Sequence, residues 1–365
     1  MANRRQVLKA GAGVLAGAAW VGAYAAEPKQ KTLLVLGGTG FIGPHITDVA
    51  VQRGWKVTHF NRGKRDPDGV PGVETLHGDR KGQLDSLRGK QWDAVVDNTG
   101  YIPKFCKMSA DLLGPNVGFA LFVSSISAYA GFARPNDESS PAGVLTDPNV
   151  EQITNETYGP MKAACEQATF DAFKDRSCVV RPGYIVGPKD TNDRFPFWPV
   201  RYARGGEMLV PGAPTDPIQI IDCRDMAAWM MTLVERRTNG IFNAVSPPNM
   251  FTMNDLMQAV QRTVPDAKTT LTWIPEDFLA KTWPKEEMGV PPWAPLKGEE
   301  PGFSFTSSER ALKTGLKIRP IADSVRDTYE WFRTLPAERQ QTLRAGVKPE
   351  LETETLRKWH EEKKN

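Results

Sequence analysis

Thr32-Leu33-Leu34-Val35-Leu36-Gly37-Gly38-Thr39-Gly40-Phe41-Ile42-Gly43 is an apolar run that ends in a loop with glycines at 37, 40 and 43. The run reads as a buried strand, and the glycines allow a tight turn into a helix. A second apolar run, Trp55 to Phe60, follows Arg53-Gly54 and completes a strand–helix–strand unit. Further strand-like runs occur at Ala94-Val95-Val96, Ala120-Leu121-Phe122-Val123 and Cys178-Val179-Val180, each separated by enough chain for a crossover helix. Strands alternating with helices imply an α/β chain with a doubly wound parallel sheet of the Rossmann type.

The glycine spacing G-x-x-G-x-x-G has a physical use in that setting. It lets the backbone approach a pyrophosphate, whose charge is met by the unsatisfied N–H groups of the following helix. The motif alone is weak, since a glycine turn also serves as a plain structural link, but strand before and helix after favour the nucleotide reading. Gly37, Thr39, Gly40, Phe41, Ile42 and Gly43 are therefore candidate cofactor residues. At the end of the second strand, where an acidic residue would accept the 2′-hydroxyl of NAD, the chain reads Phe60-Asn61-Arg62-Gly63. No carboxylate stands there to repel a 2′-phosphate, and Arg62 offers a guanidinium for one. That favours NADP over NAD, unless Arg62 is simply a solvated turn residue.

Tyr158-Gly159-Pro160-Met161-Lys162 places a tyrosine and a lysine four apart, on one face of a helix. A phenol near pKa 10 exchanges protons at neutral pH only if cations hold its phenolate, and Lys162 is such a cation. Pro160 suits a first turn, so the helix is expected to start near Tyr158. Ser124-Ser125 follows the strand ending Phe122-Val123 and presents a hydroxyl at the carboxyl edge of the sheet, where such folds place ligands.

Taken in chain order, these residues resemble the extended short-chain dehydrogenases/reductases, the NAD(P)-dependent epimerase/dehydratase group. The resemblance rests on the glycine motif, Ser124-Ser125 with Tyr129, Tyr158 with Lys162, and Arg181-Pro182-Gly183 leading to Val186-Gly187-Pro188. It implies a catalytic set of Ser125, which would bond the reacting oxygen, Tyr158, which would exchange its proton, and Lys162, which would hold the nicotinamide ribose and lower the tyrosine pKa. Asp79 and Arg80 look like the adenine-contacting turn, Asn98-Thr99-Gly100 the turn beside the cofactor, and Asn61 and Pro182 further cofactor neighbours. Asp and Asn-Thr-Gly are also ordinary turn formers. The resemblance makes a homodimer through the Tyr158 helix an expectation.

Residues 1–26 carry Asn3-Arg4-Arg5-Gln6-Val7-Leu8-Lys9, then an Ala/Gly-rich apolar run to Ala26 with Ala23-Tyr24-Ala25 as a cleavage site. This reads as a twin-arginine export signal and a periplasmic or extracellular address, against a surface helix or an uncleaved anchor. So many small residues give a poor drive to remain in lipid, so no stable membrane span is expected after cleavage. The dinucleotide-binding domain is expected over 31–184, with a return at about 217–247 because Ile218 to Asp222 has a strand's β-branched content. A smaller, loop-rich C-terminal substrate domain would use 185–216 and 248–335, and 336–365 would be a solvated, charged helical extension.

Across the chain, 46 basic residues face 43 acidic ones without a basic stripe, which points to a small-molecule substrate and away from nucleic acid. Four scattered cysteines and four histidines show no ligand spacing, so buried free thiols and no metal are expected. Arg194, Arg201 and Arg204 are candidates for an anionic substrate, and Phe197, Trp198 and Trp293 either stack on a ring or, preferably, pack a core.

Three functions remain in view. The first is a closed redox cycle, as in an epimerase or dehydratase, with the dinucleotide retained. The second is a net NADPH-dependent ketone or enone reductase. The third, ranked below both, is a non-catalytic dinucleotide- or RNA-binding protein, since chloroplast RNA-binding relatives of this fold share the glycine loop. Export favours the first, because an exported enzyme has no pool of reduced nicotinamide to draw on.

Overall fold

The computed structural model describes residues 29–64 and 70–364; the segment read as an export signal, residues 1–26, lies outside the described residues. In chain order the strands are β1 (Thr32–Leu36), β2 (Lys56–Asn61), β3 (Glu74–His77), β4 (Ala94–Asp97), β5 (Ala120–Val123), β6 (Ser177–Pro182), β7 (Tyr184–Val186), β8 (Gly206–Pro211), β9 (Pro217–Ile218), β10 (Ile220–Asp222), β11 (Gly240–Ala244), β12 (Phe251–Thr252) and β13 (Thr269–Ile274). The longer helices are α1 (Gly43–Gln52), α2 (Pro103–Leu113), α3 (Asn155–Phe173), α4 (Phe197–Ala203), α5 (Cys223–Arg236), α6 (Met253–Thr263), α7 (Glu276–Thr282), α8 (Glu309–Lys313), α9 (Ile321–Arg333), α10 (Ala337–Gln341) and α11 (Pro349–Glu362).

Seven strands form one parallel sheet in the order β11-β6-β5-β4-β1-β2-β3. The alternation along β1 shows why its sequence is an unbroken apolar run. Leu33 and Val35 pack with Ile46 and Ala50 of α1 and Met230 and Leu233 of α5, while Leu34 and Leu36 pack on the other face with Leu113 of α2 and Phe173 of α3. With both faces covered, every position in the strand is a core position. The direction of winding reverses between β1 and β4, and the loops leaving those two strands part to open a crevice at their carboxyl ends.

After β6 the chain builds a second apolar core from Phe195, Phe197, Trp198, Leu256, Phe278 and Trp293, framed by the parallel pair β8/β13 and the antiparallel pair β9/β12. Trp198 and Trp293 are fully buried, and the Trp293 indole donates to Asp216 at 2.9 Å. The Pro/aromatic stretches therefore pack a core and offer no stacking platform. Residues 31–365 form one compact unit around both cores.

Two expectations need correction. The β-branched stretch from Ile218 does not rejoin the main sheet: β10 pairs with β7 in a separate two-stranded ladder, and the return is made by α5 and then β11, which pairs with β6. Nor is the C-terminal extension merely solvated. Leu356 is buried in the second core with Leu351 and Trp359 against it, Trp359 packs edge-on to Phe278, and Glu352 bonds Arg201 at 2.7 Å. One face of the charged helix α11 carries enough apolar surface to cover a core that the sheet helices leave open.

The clasp holding this segment is Asp193, fully buried, which accepts from Arg339 Nη2 at 2.5 and 2.6 Å and from the Arg344 backbone N–H at 2.9 Å. Removing one partner of a buried ion pair costs about 3–5 kcal/mol, because the other charge stays behind. Asp193→Ala is expected to lose about 3 kcal/mol in equilibrium denaturation, and a loss below about 0.5 kcal/mol would show that the clasp contributes nothing.

Candidate active site

The turn after β1 is pressed against the end of β4. Gly37 has φ of +87°, and a Cβ added there would lie 2.0 Å from Thr99 Cγ2 and 2.6 Å from Asn98 Oδ1. A Cβ on Gly43 would lie 2.5 Å from the Gly37 carbonyl oxygen, so α1 can begin only if that position is glycine. Gly37, Thr39, Gly40, Phe41 and Ile42 line one end of a cavity of about 810 Å³. Asn61, Arg62, Asp79, Arg80, Asn98, Thr99 and Pro182 line it too, and so do Ser125, Tyr158 and Lys162. Gly43 and Gly100 do not face it: Gly43 lets the turn close, and Gly100 supplies a carbonyl described below.

Three buried polar atoms on this wall have no partner, Nδ2 of Asn61, Nδ2 of Asn98 and Nε of Arg80. The Asn61 amide oxygen is already used, accepting from the Gly63 N–H at 2.7 Å. Orphaned donors beside a glycine cradle and a helix N-terminus fit a long, polar, phosphate-bearing ligand such as a dinucleotide. At its outer edge Arg62 is exposed and makes no ion pair among the described residues, and Lys64 and Lys81 line the same end. Arg80 is different. Its guanidinium is bound to Asp97 at 3.1 and 2.6 Å and to Ser109 at 2.7 Å, so it ties the β3 turn to β4. Asp79 accepts from the Lys81 N–H at 3.0 Å, which shapes that turn.

At the opposite end, Ser125 sits at the carboxyl end of β5, accepting from the Ser127 N–H and donating to the Ser127 hydroxyl, both at 3.1 Å. It is near enough to the Tyr158 phenol to lower its pKa. Ser124 turns the other way and donates to Glu166. Helix α3 begins at Asn155, one turn earlier than the tyrosine–lysine motif suggests, because Thr154 and Thr157 form a reciprocal capping box. Pro160 consequently falls in the second turn. Gly159 is a site residue that the sequence hid: a Cβ there would lie 2.0 Å from the Ser127 carbonyl oxygen, so only glycine lets α3 close on the Ser125 segment.

Lys162 is buried and donates to the carbonyls of Gly100 and Val123, both at 2.7 Å, with its ammonium 4.4 Å from the Phe122 ring centroid. Burial pulls its pKa down. Burial also pushes the Tyr158 phenol above the ordinary tyrosine range, with Tyr101 adding to it; the nearby Ser125 hydroxyl and the charge of Arg194 pull the other way. Lys162 is not among the groups acting on Tyr158, so its lowering of the tyrosine pKa, which the resemblance implied, is not seen in this arrangement. Its ammonium is held by backbone dipoles instead, which leaves one N–H for a ligand.

Of the three arginines considered for substrate, only Arg194 lines the cavity. Arg201 is bound to Glu352 and to two backbone carbonyls, and Arg204 to the carbonyl of Gln341. Tyr101, Ile153, Tyr184 and Phe303 complete the outer wall, and no local motif marks them. All four cysteines are buried and unbridged, and among the described residues no three His, Cys, Asp or Glu side chains converge as a metal site. No described helix is long and apolar enough to cross a membrane.

No protein-family model matches the chain. It is 25% identical over 255 residues to the chloroplast stem-loop binding protein of 41 kDa b of Arabidopsis thaliana, a match covering 65% of this chain; the chain spans only 64% of that protein's length. It is 20% identical over 329 residues to a Synechocystis protein provisionally named dihydroflavonol 4-reductase, covering 82% of this chain and 94% of the other. Among solved structures it resembles the enzyme WbmH of Bordetella bronchiseptica in complex with NAD+, with TM-score 0.61 and 16% identity over 83% of this chain and 98% of the other. The UDP-glucose 4-epimerase of Thermotoga maritima with UDP-glucose gives 0.59 and 16% over 83% and 99%. The UDP-glucuronic acid 4-epimerase of Bacillus cereus in complex with NAD gives 0.58 and 13% over 83% and 99%. At these identities the likeness establishes the fold.

Two outcomes are expected. Gly159→Ala pushes α3 off the Ser127 carbonyl, so ligand-dependent activity should fall by about 100-fold, the effect of a displacement near 1 Å, with a lowered melting temperature; unchanged values of both would refute the close-approach argument. In an ultraviolet titration read as wild type minus Tyr158→Phe, the Tyr158 phenol should ionise above pH 10. It should then remain protonated through neutral pH as an acid, and a phenol ionising below 10 would contradict the burial argument.

Proposed function

We propose that the chain is a nicotinamide-dinucleotide-dependent enzyme of the extended short-chain dehydrogenase/reductase type, acting at a carbonyl or alcohol carbon of a small molecule. The observation that carries this reading is the convergence of Ser125, Tyr158 and Lys162 at one end of a cavity whose other end is the Gly37–Ile42 cradle. The named relatives and structural neighbours, which include a reductase by name and two 4-epimerases, support it.

The dinucleotide would lie along Gly37, Thr39, Gly40, Phe41 and Ile42, beside Asn61, Asn98 and Thr99, and supplies the hydride acceptor or donor when bound. The chain's own residues manage the proton. Ser125 hydrogen-bonds the reacting oxygen, and Tyr158 gives that oxygen its phenolic proton when a carbonyl is reduced or takes it when an alcohol is oxidised. A phenol raised by burial is poised as the acid. As the base it needs added positive charge beside it. Lys162 would hold the nicotinamide ribose through its remaining N–H.

NADP is the proposed dinucleotide, on the exposed Arg62 with Lys64 and Lys81 near it and no carboxylate at the end of β2. We read the reaction as a closed redox cycle with retained cofactor, in keeping with the proposed twin-arginine export of the folded chain; net reduction is the alternative. The stem-loop binding relative raises RNA binding as a second reading. A Ser–Tyr–Lys set packed around a cavity has no use there, and the net charge is only +3.

Denaturing the purified protein and identifying the released dinucleotide tests this directly. Stoichiometric NADP is expected, and an empty protein that binds neither dinucleotide on addition would overturn the reading. Tyr158→Phe should retain the dinucleotide and lose turnover by about 100- to 10,000-fold, with the reaction followed at 340 nm to separate net reduction from a closed cycle.

A further inference from the structure

We propose that Arg194 is the anion-binding residue of the substrate subsite, and that the substrate is a carbonyl or carbinol compound with a carboxylate and an apolar body. This inference rests on the dinucleotide-dependent reading above and specifies the substrate class for the same cavity.

The cavity is longer than its cofactor wall. Beyond Ser125 and Tyr158 it is lined by Tyr101, Ile153, Tyr184 and Phe303, with Tyr184 and Phe303 in contact at 5.4 Å between ring centroids. Arg194 stands in this apolar wall. Arg181, Arg201, Arg224, Arg319 and Arg339 each have a carboxylate partner. Arg194 makes no hydrogen bond or ion pair among the described residues. A guanidinium half-buried beside aromatic rings without a partner is costly unless a ligand completes it.

Asp190, whose carboxylate feels the Arg194 charge, makes no hydrogen bond or ion pair to it among the described residues. Asp190 is buried and accepts from the backbone N–H groups of Asn192 and Phe195, at 3.0 and 3.3 Å, and so shapes the loop that presents Arg194. On the next residue, Asp193 is clasped by Arg339 and the Arg344 N–H. Phe195 is buried in the second core. Arg194 is thus held on a fixed backbone between two anchored neighbours, a prepared site that no internal group fills. Its charge reaches both Tyr158 and Tyr184, which places it on the phenol side of the cavity, near the reacting oxygen.

The number of charges decides the class of anion. Among the described residues Arg194 is the one uncommitted cation lining the cavity beside Tyr184 and Phe303, since Lys162 is committed to two carbonyls and Arg62, Lys64 and Lys81 belong to the β2 and β3 turns. One guanidinium matches one carboxylate, with two parallel hydrogen bonds. A phosphomonoester or a nucleotide pyrophosphate carries nearly twice the charge and would leave half of it facing tyrosine and phenylalanine rings.

The test uses the full protein loaded with NADPH, and reads ligand affinity from the fluorescence of the bound reduced nicotinamide. Three probes are compared: phenylpyruvate, its uncharged counterpart 1-phenylpropan-2-one, and phenyl phosphate. Phenylpyruvate should bind at least about 10-fold more tightly than either of the others. Arg194→Gln should weaken it by about 10- to 100-fold, as loss of a charge-assisted pair implies, and leave the neutral ketone and the NADPH affinity unchanged. Arg194→Lys should restore part of the loss. Phenylpyruvate binding no better than the ketone, failure to bind included, overturns the proposal, and so does full affinity in Arg194→Gln. Tighter binding of phenyl phosphate overturns the carboxylate assignment. A loss of NADPH affinity in Arg194→Gln would make Arg194 a cofactor residue instead. If wild type binds no dinucleotide at all, it is the enzyme reading that fails.

Discussion

The ammonium of Lys162, enclosed by protein and held by the carbonyls of Gly100 and Val123, is the contact on which the rest of the site depends. A cation out of water costs several kcal/mol after relaxation, and here it is offset by two peptide dipoles and the faces of Phe122 and Tyr101, with no acid bonded to it. The arrangement works only if α3 lies tight against the carboxyl ends of β4 and β5. Gly159 supplies that tightness by meeting the Ser127 carbonyl, and Gly100 by leaving room for the Phe122 ring, 2.4 Å from where its Cβ would be. One turn along, Glu166 pairs with Arg181 of β6 at 2.9 and 2.6 Å and accepts from Ser124. Two buried charges four residues apart therefore fasten one helix to three neighbouring strands.

That fastening divides the labour of adjacent residues. Ser124 is spent on Glu166, and this leaves Ser125, next along the extended backbone, to face the phenol. Arg181 stacks over Tyr129 at 4.5 Å, and the Tyr129 hydroxyl bonds Asn243 of β11 at 2.8 Å. The polar network so runs from the reacting end of the cavity to the far edge of the sheet. The motif residues Tyr129 and Arg181, together with Glu166, act by holding the Ser125 segment and α3 in register, and none of the three lines the cavity.

Legibility in the sequence follows how local each signal is. β1 and β5 coincide with their apolar runs because both faces of each are covered, and the turn at Gly37 announces itself because only glycine tolerates φ of +87° against Thr99. β3, Glu74–His77, is an edge strand with a half-exposed, polar composition, so no apolar run marks it. The tyrosine–lysine spacing marks one face of α3 but not its start, which the Thr154–Thr157 capping box sets at Asn155. Arg80 lines the cavity, and its bond to Asp97, 17 residues on and across a strand, has no local trace in the sequence. Arg194, Arg201 and Arg204 are alike in sequence and differ only through partners such as Glu352, 151 residues from Arg201. Pairings at that separation leave no periodic trace.

The same distribution of charge bears on what the cavity can hold. Among the described residues, the cavity-lining cations bound by no acid or carbonyl are Arg62, Lys64, Lys81 and Arg194, with Lys81 lying over the Phe105 ring at 5.7 Å. Arg80 and Lys162 are neutralised or held by the protein itself. A ligand pair that satisfies the cavity would therefore bring negative charge to the Arg62 side and to Arg194, with a hydride passing between the nicotinamide and the reacting carbon and a proton between Tyr158 and the reacting oxygen.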